Sequence, residues 1–361
     1  MPFTDDGRHC GERGFPPVSS YLRRLFVPQM APPADGPGNN ASTGPLPSCT
    51  YQEDFKRYLL PAVYSLVFAL GLPLNAAVIL RMWRSRRPLT RSAIYMLNLA
   101  LADLLYVSSL PLLIYNYGRG DYWPFGELAC KLVRFQFYSN LHGSILFLTC
   151  ISFQRYLGIC YPLATWHKAG GRRSAWTVCG AVWAVVLLLC APTFEFAATG
   201  VQRNRSVCYE LSEPQRSAHY FPYGMALTCL GFALPFLALV ACYCSMARIL
   251  CRAGAAPGPA GAQRRKDKAV RMIAIVVAVF AVSFLPFHLS KTAYLLVRTL
   301  RGVPCPVRNL YAVVYKSTRP FASMNSVLDP ILFYFTQPRF RRSTMTLLQR
   351  ITTSRDRSAH R

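Results

Sequence analysis

Three cations occupy places where a cation is expensive. Arg134, Lys291 and Arg319 fall within or at the edge of apolar stretches long enough to cross a bilayer, and a charge held there marks a functional site by default. All three lie toward the same end of their stretches. Arginine offers a planar fork of donors and lysine a compact charge, a combination suited to phosphate oxygens. His288 and Lys291 stand three residues apart, as do Lys316 and Arg319, so each pair shares one helix face. Arg298 and Arg301 continue a basic rim, Lys131 lies beside Arg134, and Tyr115, Tyr138 and Tyr294 supply aromatic walls and hydroxyls. Taken singly, each cation could simply snorkel to the membrane interface. Taken together they predict a pocket for a polyanion, and aromatic walls with several cations suit a nucleotide better than a monoanion.

The elements that must position them are apolar helices. Of the 361 residues 52% are hydrophobic and only 16% charged, against about a quarter charged in a soluble domain. The charges bracket seven windows almost free of them: Tyr58 to Leu80, Ser92 to Gly118, Phe135 to Gln154, Ser174 to Phe194, Ser217 to Ala247, Met272 to Ser290 and Pro320 to Pro338. Each is near the roughly 20 residues that a spanning helix needs. They predict an all-α membrane protein, a seven-transmembrane helix bundle. With the N-terminus extracellular, the inner segments carry 23 Lys and Arg against two acids and the outer segments 18 against 11, as the positive-inside rule requires. Most of the +26 formal charge is then topology and attraction to anionic inner-leaflet lipid, and nucleic-acid binding is not needed to explain it. This multi-pass plasma-membrane orientation places two glycosylation sequons, at Asn40 and Asn204, outside.

Residues 1–56 read as a disordered extracellular tail, 57–336 as the transmembrane domain, and 337–361 as a short basic amphipathic helix along the inner membrane surface with a cytoplasmic tail. The first thirty residues lack the apolar core of a signal peptide, so the first span is expected to act as its own insertion signal. Met30 opens a more ordinary leader, so part of residues 1–29 is expected to lie outside the working protein; the other reading is a free or mispaired thiol at Cys10. A start at Met30 would remove Cys10 and leave four outer cysteines, Cys49, Cys130, Cys208 and Cys305. Cys130 with Cys208 would pin the longest outer loop over the bundle, and Cys49 with Cys305 would tie the tail to the last outer loop. Four cysteines allow three connectivities.

Deeper in the membrane stand two carboxylates, Asp103 and Asp329, with Asn75, Ser144 and Asn325 expected at their depth. Together they would make an oxygen-lined cavity for water or Na⁺, or a polar knot that positions the helices. Pro73, Pro111, Pro192, Pro235, Pro286 and Pro330 interrupt six spans. Pro286, flanked by Phe284 and other aromatics, is the expected hinge.

These motifs resemble the rhodopsin-like G-protein-coupled receptors across all seven spans. The matching residues are Gly71-Leu-Pro-Leu-Asn75, Leu99-Ala-Leu-Ala-Asp103, Trp183, Pro235 with Tyr243, Phe284-Leu-Pro286 and Asp329-Pro330. Ser323 stands where opsins carry the retinal lysine. Two departures are visible. Gln154 replaces the acid that usually precedes Arg155, so the inactive-state lock should be looser or built differently. Phe333 replaces the tyrosine that usually follows Asp329-Pro330. His288-Leu-Ser-Lys291 and Tyr315-Lys-Ser-Thr-Arg-Pro320 resemble the signatures of the metabotropic purinergic nucleotide receptors, and the longer runs Phe135 to Cys150, Cys208-Tyr-Glu-Leu-Ser212 and Arg319 to Tyr334 resemble their uridine-diphosphate-preferring members. The resemblance implies an extracellular pyrimidine diphosphate as agonist, a heterotrimeric G protein of the Gq class, phospholipase C and Ca²⁺ release. It also implies activation through Arg155, Gln154, Phe284, Pro286 and Asp329.

Two other readings fit the cations. One keeps the fold and replaces the ligand with a lipid phosphate, a carboxylate or an acidic peptide. The other is an organic-anion transporter, which would favour inverted repeats and broken half-helices; none is visible. An enzyme is disfavoured, since no metal-ligand cluster or nucleophile–base pair stands out in a solvent-facing segment.

Overall fold

The computed structural model describes residues 54–336 apart from 87, 162–170, 203, 213–215, 254–259 and 301. Asn40, Cys49, Arg301 and the expected C-terminal amphipathic helix lie outside the described residues.

The helices follow the apolar windows and run past them. The first span is α1 (Lys56–Trp83) and the second is α2 (Arg91–Val107) with α3 (Leu110–Gly118). The third is α4 (Gly126–Cys160); the fourth is α5 (Gly171–Cys190) with the single turn α6 (Thr193–Phe196). A short antiparallel hairpin, β1 (Thr199–Gln202) and β2 (Arg205–Cys208), follows. The fifth span is α7 (Ser217–Thr228), a π turn at Cys229–Ala233, and α8 (Leu234–Ala253). The sixth is α9 (Ala260–Thr299) and the seventh α10 (Cys305–Thr336). Among the described residues, six spans are long and apolar enough to cross a membrane. The seventh, α10, begins well before the Pro320 at which its apolar window opens, because its first half carries Lys316 and Arg319.

The prolines divide into two groups. Pro73, Pro286 and Pro330 lie inside continuous helices. Pro111 and Pro192 instead sit at breaks, and Pro235 follows the π turn. A proline ring displaces the carbonyl four residues earlier and offers no N–H. At the α2–α3 break, the hydroxyls of Ser108 and Ser109 donate to the carbonyls of Leu105 and Tyr106, each at 2.7 Å.

Burial is inverted relative to a soluble domain. Leu188, Leu234 and Leu237 are exposed on the outer surface of the bundle, while Asn75, Asp103, Asn140 and Asp329 are buried inside it. Lipid resolves the first fact and polar pairing the second. Asn75 Nδ2 donates to the carbonyls of Gly71 (3.0 Å) and Ser326 (2.8 Å), joining α1 to α10. Trp183 Nε1 donates to Asn98 Oδ1 at 3.0 Å, joining α5 to α2. In hydrocarbon such bonds hold helices together where the hydrophobic effect does not.

Candidate functional site

A disulfide joins Cys130, in the first turns of α4, to Cys208 at the end of β2. The backbone N–H of Trp123 donates to Ser206 O at 2.8 Å, and that of Tyr209 to Ala198 O at 3.1 Å. The segment after β2 is thereby held over this end of the bundle. Cys305 is also disulfide-bonded, and its expected partner Cys49 lies outside the described residues. Asn204 stands exposed at the hairpin turn with φ +61°.

Arg134, Lys291 and Arg319 are buried at this disulfide end, from α4, α9 and α10. Arg319 Nη1 lies 2.8 Å from Glu210 Oε1 and 3.0 Å from the Tyr117 hydroxyl, which itself donates to Glu210 Oε1 at 2.9 Å. Arg134 Nη2 donates to the Cys208 carbonyl at 3.0 Å. Lys291 Nζ stands 4.7 Å over the Tyr138 ring, and the Arg319 guanidinium 5.1 Å over Phe137. Four donor atoms remain without a hydrogen-bond partner among the described residues: Nε and Nη1 of Arg134, Nζ of Lys291 and Nε of Arg319. Buried donors left so are costly, and they are the feature an anion would satisfy.

Glu210 is the internal counter-ion. Burial alone would raise its carboxyl, but Arg319 foremost, with Lys316, Lys56 and Arg134, outweighs burial and holds it well below the usual carboxylate range. In the sequence it stands within the run Cys208-Tyr-Glu-Leu-Ser212, but nothing there marks it as a partner of the cations. Lys56 is likewise buried, 2.7 Å from Asp121 and 5.9 Å over the Tyr117 ring.

The remaining expected residues divide. His288 is buried and stacks on Phe232 at 4.1 Å, and Tyr294 stacks on Tyr315 at 5.3 Å. Arg298 donates to the Ser212 carbonyl at 3.2 Å, at the rim. Lys316 is half-buried near Glu210. Tyr115 is a correction: it is 39% exposed and packs on Phe125 and Arg119, outside the cation cluster. Two residues are more than half a helical turn, so Tyr117 faces inward where Tyr115 cannot. Lys131 is drawn to Glu127, one turn back, at 2.6 Å.

At mid-depth a small cavity is lined by Asn75, Asp103 and Asp329 with apolar neighbours. Ser144 and Asn325 are buried but are not among the lining residues. Asn140 donates to Asp103 Oδ1 at 2.8 Å, a partner that no motif marks. Asp103 Oδ2, both oxygens of Asp329 and Asn75 Oδ1 have no hydrogen-bond partner among the described residues.

At the far end Gln154 accepts a hydrogen bond from Ser92 at 3.2 Å rather than engaging Arg155. Gln154, at the lock expected to be looser or built differently, is thereby tied to Ser92 of α2. Ser152 and Tyr243 share a 2.7 Å hydrogen bond beside Arg155, whose Nε is buried without a partner among the described residues. Phe284 is fully buried, edge-on to Phe280 at 4.9 Å, two residues before Pro286.

Residues 74–333 match the family described as 7 transmembrane receptor (rhodopsin family). The chain is 68% identical over 308 residues to P2Y purinoceptor 6 of Rattus norvegicus, covering 85% of this chain and 94% of that protein. It is 66% identical over 305 residues to P2Y purinoceptor 3 of Meleagris gallopavo, covering 84% and 93%. It is 45% identical over 311 residues to P2Y purinoceptor 4 of Rattus norvegicus, covering 85% of each. The chain belongs to the rhodopsin family of seven-transmembrane receptors, and within it to the P2Y purinoceptors. It is thus a multi-pass receptor of the plasma membrane and not an enzyme.

Proposed function

We propose that the chain is a receptor for extracellular nucleotides, with uridine diphosphate as its preferred agonist. The observation that carries the reading is the cluster of Arg134, Lys291 and Arg319, buried from three helices with four unpartnered donor atoms. The names of its relatives as purinoceptors support the same ligand class. The disulfide end faces outward and the N-terminus is extracellular. A diphosphate engages Arg134, Lys291 and Arg319, drawing α4, α9 and α10 together. α9 then pivots near Pro286 and opens a cleft beside Arg155 for a heterotrimeric G protein of the Gq class, with phospholipase C and Ca²⁺ release downstream. A ligand shifts such an equilibrium only by its differential affinity for the two states, so the cations must hold the diphosphate more tightly in the active one.

The test is Ca²⁺ release in expressing cells across uridine diphosphate, uridine triphosphate and adenosine diphosphate. A response led by uridine diphosphate and lost in Arg319→Ala supports the reading. Silence at confirmed surface expression overturns it, and steady uptake of labelled nucleotide would point to transport instead.

The mid-depth carboxylates support a second proposal, that Asp103 and Asp329 hold Na⁺ with Asn75 and nearby Ser144 and Asn325. Carboxylate and amide oxygens are the ligands a hard cation takes. Agonist affinity that falls with added Na⁺ in the wild type but not in Asp103→Asn is the expected result; equal sensitivity overturns it.

A further inference from the structure

Pro235 stands at the second position of α8, so the carbonyl four residues earlier, that of Gly231, loses its helical donor. The chain accommodates this with the π turn at Cys229–Ala233. Another helix meets the freed carbonyl: His142 Nδ1, from α4, lies 3.3 Å from Gly231 O. A carbonyl only accepts, so Nδ1 carries the proton and donates. His142 is fully buried. The fit is close enough that a Cβ at Gly231 would stand 2.7 Å from His142 Cε1 and nearer still to Nδ1.

This contact closes a ring of side chains. Lys291 Nζ lies 4.7 Å over Tyr138. Tyr138 and His142, one turn apart, stack at 6.3 Å with an 11° interplanar angle. His142 holds Gly231, and the next residue, Phe232, stacks on His288 at 4.1 Å and 8°. His288 precedes Lys291 by one turn. From Phe232 the aromatic contacts continue to Phe280 at 6.1 Å and on to Phe284 at 4.9 Å, toward Pro286. One side of the ring is a cation of the anion site. The other is a π turn, an irregularity that recurs at functional sites.

We propose that His142 is a positioning residue for the nucleotide response. By donating to the Gly231 carbonyl it fixes the register of the π turn that seats Phe232 against His288, and so places Lys291 and links it to Phe280. The proposal rests on the reading of the cations as the nucleotide site. What matters is the donor as well as the volume of the ring.

Two replacements separate these. His142→Gln keeps an N–H donor within reach of the carbonyl, whereas His142→Phe keeps the ring and loses the donor. The expected result is a wild-type response to uridine diphosphate, retained potency in the Gln variant, and a loss of about tenfold in the Phe variant, the scale of an ordinary coupling between sites. Phe equal to or better than Gln overturns the proposal while leaving the nucleotide reading intact. A wild-type receptor deaf to nucleotides overturns the reading beneath it. Melting of the nucleotide-free receptor guards against misfolding. His142→Phe and Gly231→Ala remove the same contact, so their effects on melting temperature should be non-additive, and additivity overturns the proposal.

Discussion

Glu210 and Arg319 stand 2.8 Å apart at the disulfide end of the bundle, one on the segment after β2 and the other on α10. An anion entering the cluster must share Arg319 with a carboxylate the chain itself supplies. Glu210→Gln should therefore raise affinity for uridine diphosphate by about fivefold, the size of a ~1 kcal/mol ion pair. Competition binding on membranes measures it, and an unchanged or weaker affinity would show that Glu210 does not compete.

The same contact has a defined pH range. The folded Glu210 carboxyl is depressed, so its contribution is fully present above the unfolded value of about 4.3 and is lost only as pH falls through the lower folded value. Between pH 8 and 5 the wild type and Glu210→Gln should show parallel pH profiles of agonist response. A wild-type loss in that window that Glu210→Gln removes would contradict the assignment.

Tyr117 and Tyr115 offer a paired comparison. The Tyr117 hydroxyl accepts from Arg319 and donates to Glu210, whereas Tyr115 packs on Phe125 and Arg119. Tyr117→Phe should shift agonist potency by about fivefold, since a net hydrogen bond contributes ~1 kcal/mol. Tyr115→Phe should be silent. Concentration–response curves at matched surface expression decide between them, and equal effects would refute the placement.

The contrast between those two tyrosines shows what the sequence could carry. Apolar windows and charge asymmetry specify seven spans, and helical spacing puts Arg134, Lys291 and Arg319 at one level. Spacing does not give the rotation of a helix after a break, and span two breaks at Ser108–Ser109, so Tyr115 and Tyr117 could not be told apart. Glu210 and Lys56 were illegible for a related reason: their partners are distant in the chain, and loop geometry is set by the Cys130–Cys208 bridge. Gln154 was recognisable as a departure, but its partner Ser92 lies on another helix.

That departure yields another expectation. Gln154 is held by Ser92 and carries no charge for Arg155. Gln154→Glu should lower ligand-independent signalling, by roughly the 0.2–1 kcal/mol of an exposed ion pair. Basal inositol phosphate accumulation reads this directly, and an increase would place the inactive-state lock elsewhere, with the Ser152–Tyr243 bond as the next residue pair to test.

The Cys130–Cys208 bridge should matter for the site more than for the bundle. Cys208→Ser frees the carbonyl that holds Arg134 and the segment that carries Glu210. Native disulfides contribute about 2–5 kcal/mol in small domains. Receptor that still reaches the surface should lose agonist response, and a full response there would mean that the loop does not shape the pocket.

The central claim is that buried cations from three helices bind the phosphates of a nucleotide. Direct titration of purified receptor with uridine diphosphate and with uridine, in the wild type and in Arg319→Ala, tests it most closely. Tight binding of the diphosphate, weak binding of the nucleoside, and convergence of the two in Arg319→Ala is the predicted result. Equal affinity for uridine and its diphosphate in the wild type, or an unaltered preference in Arg319→Ala, would contradict the account.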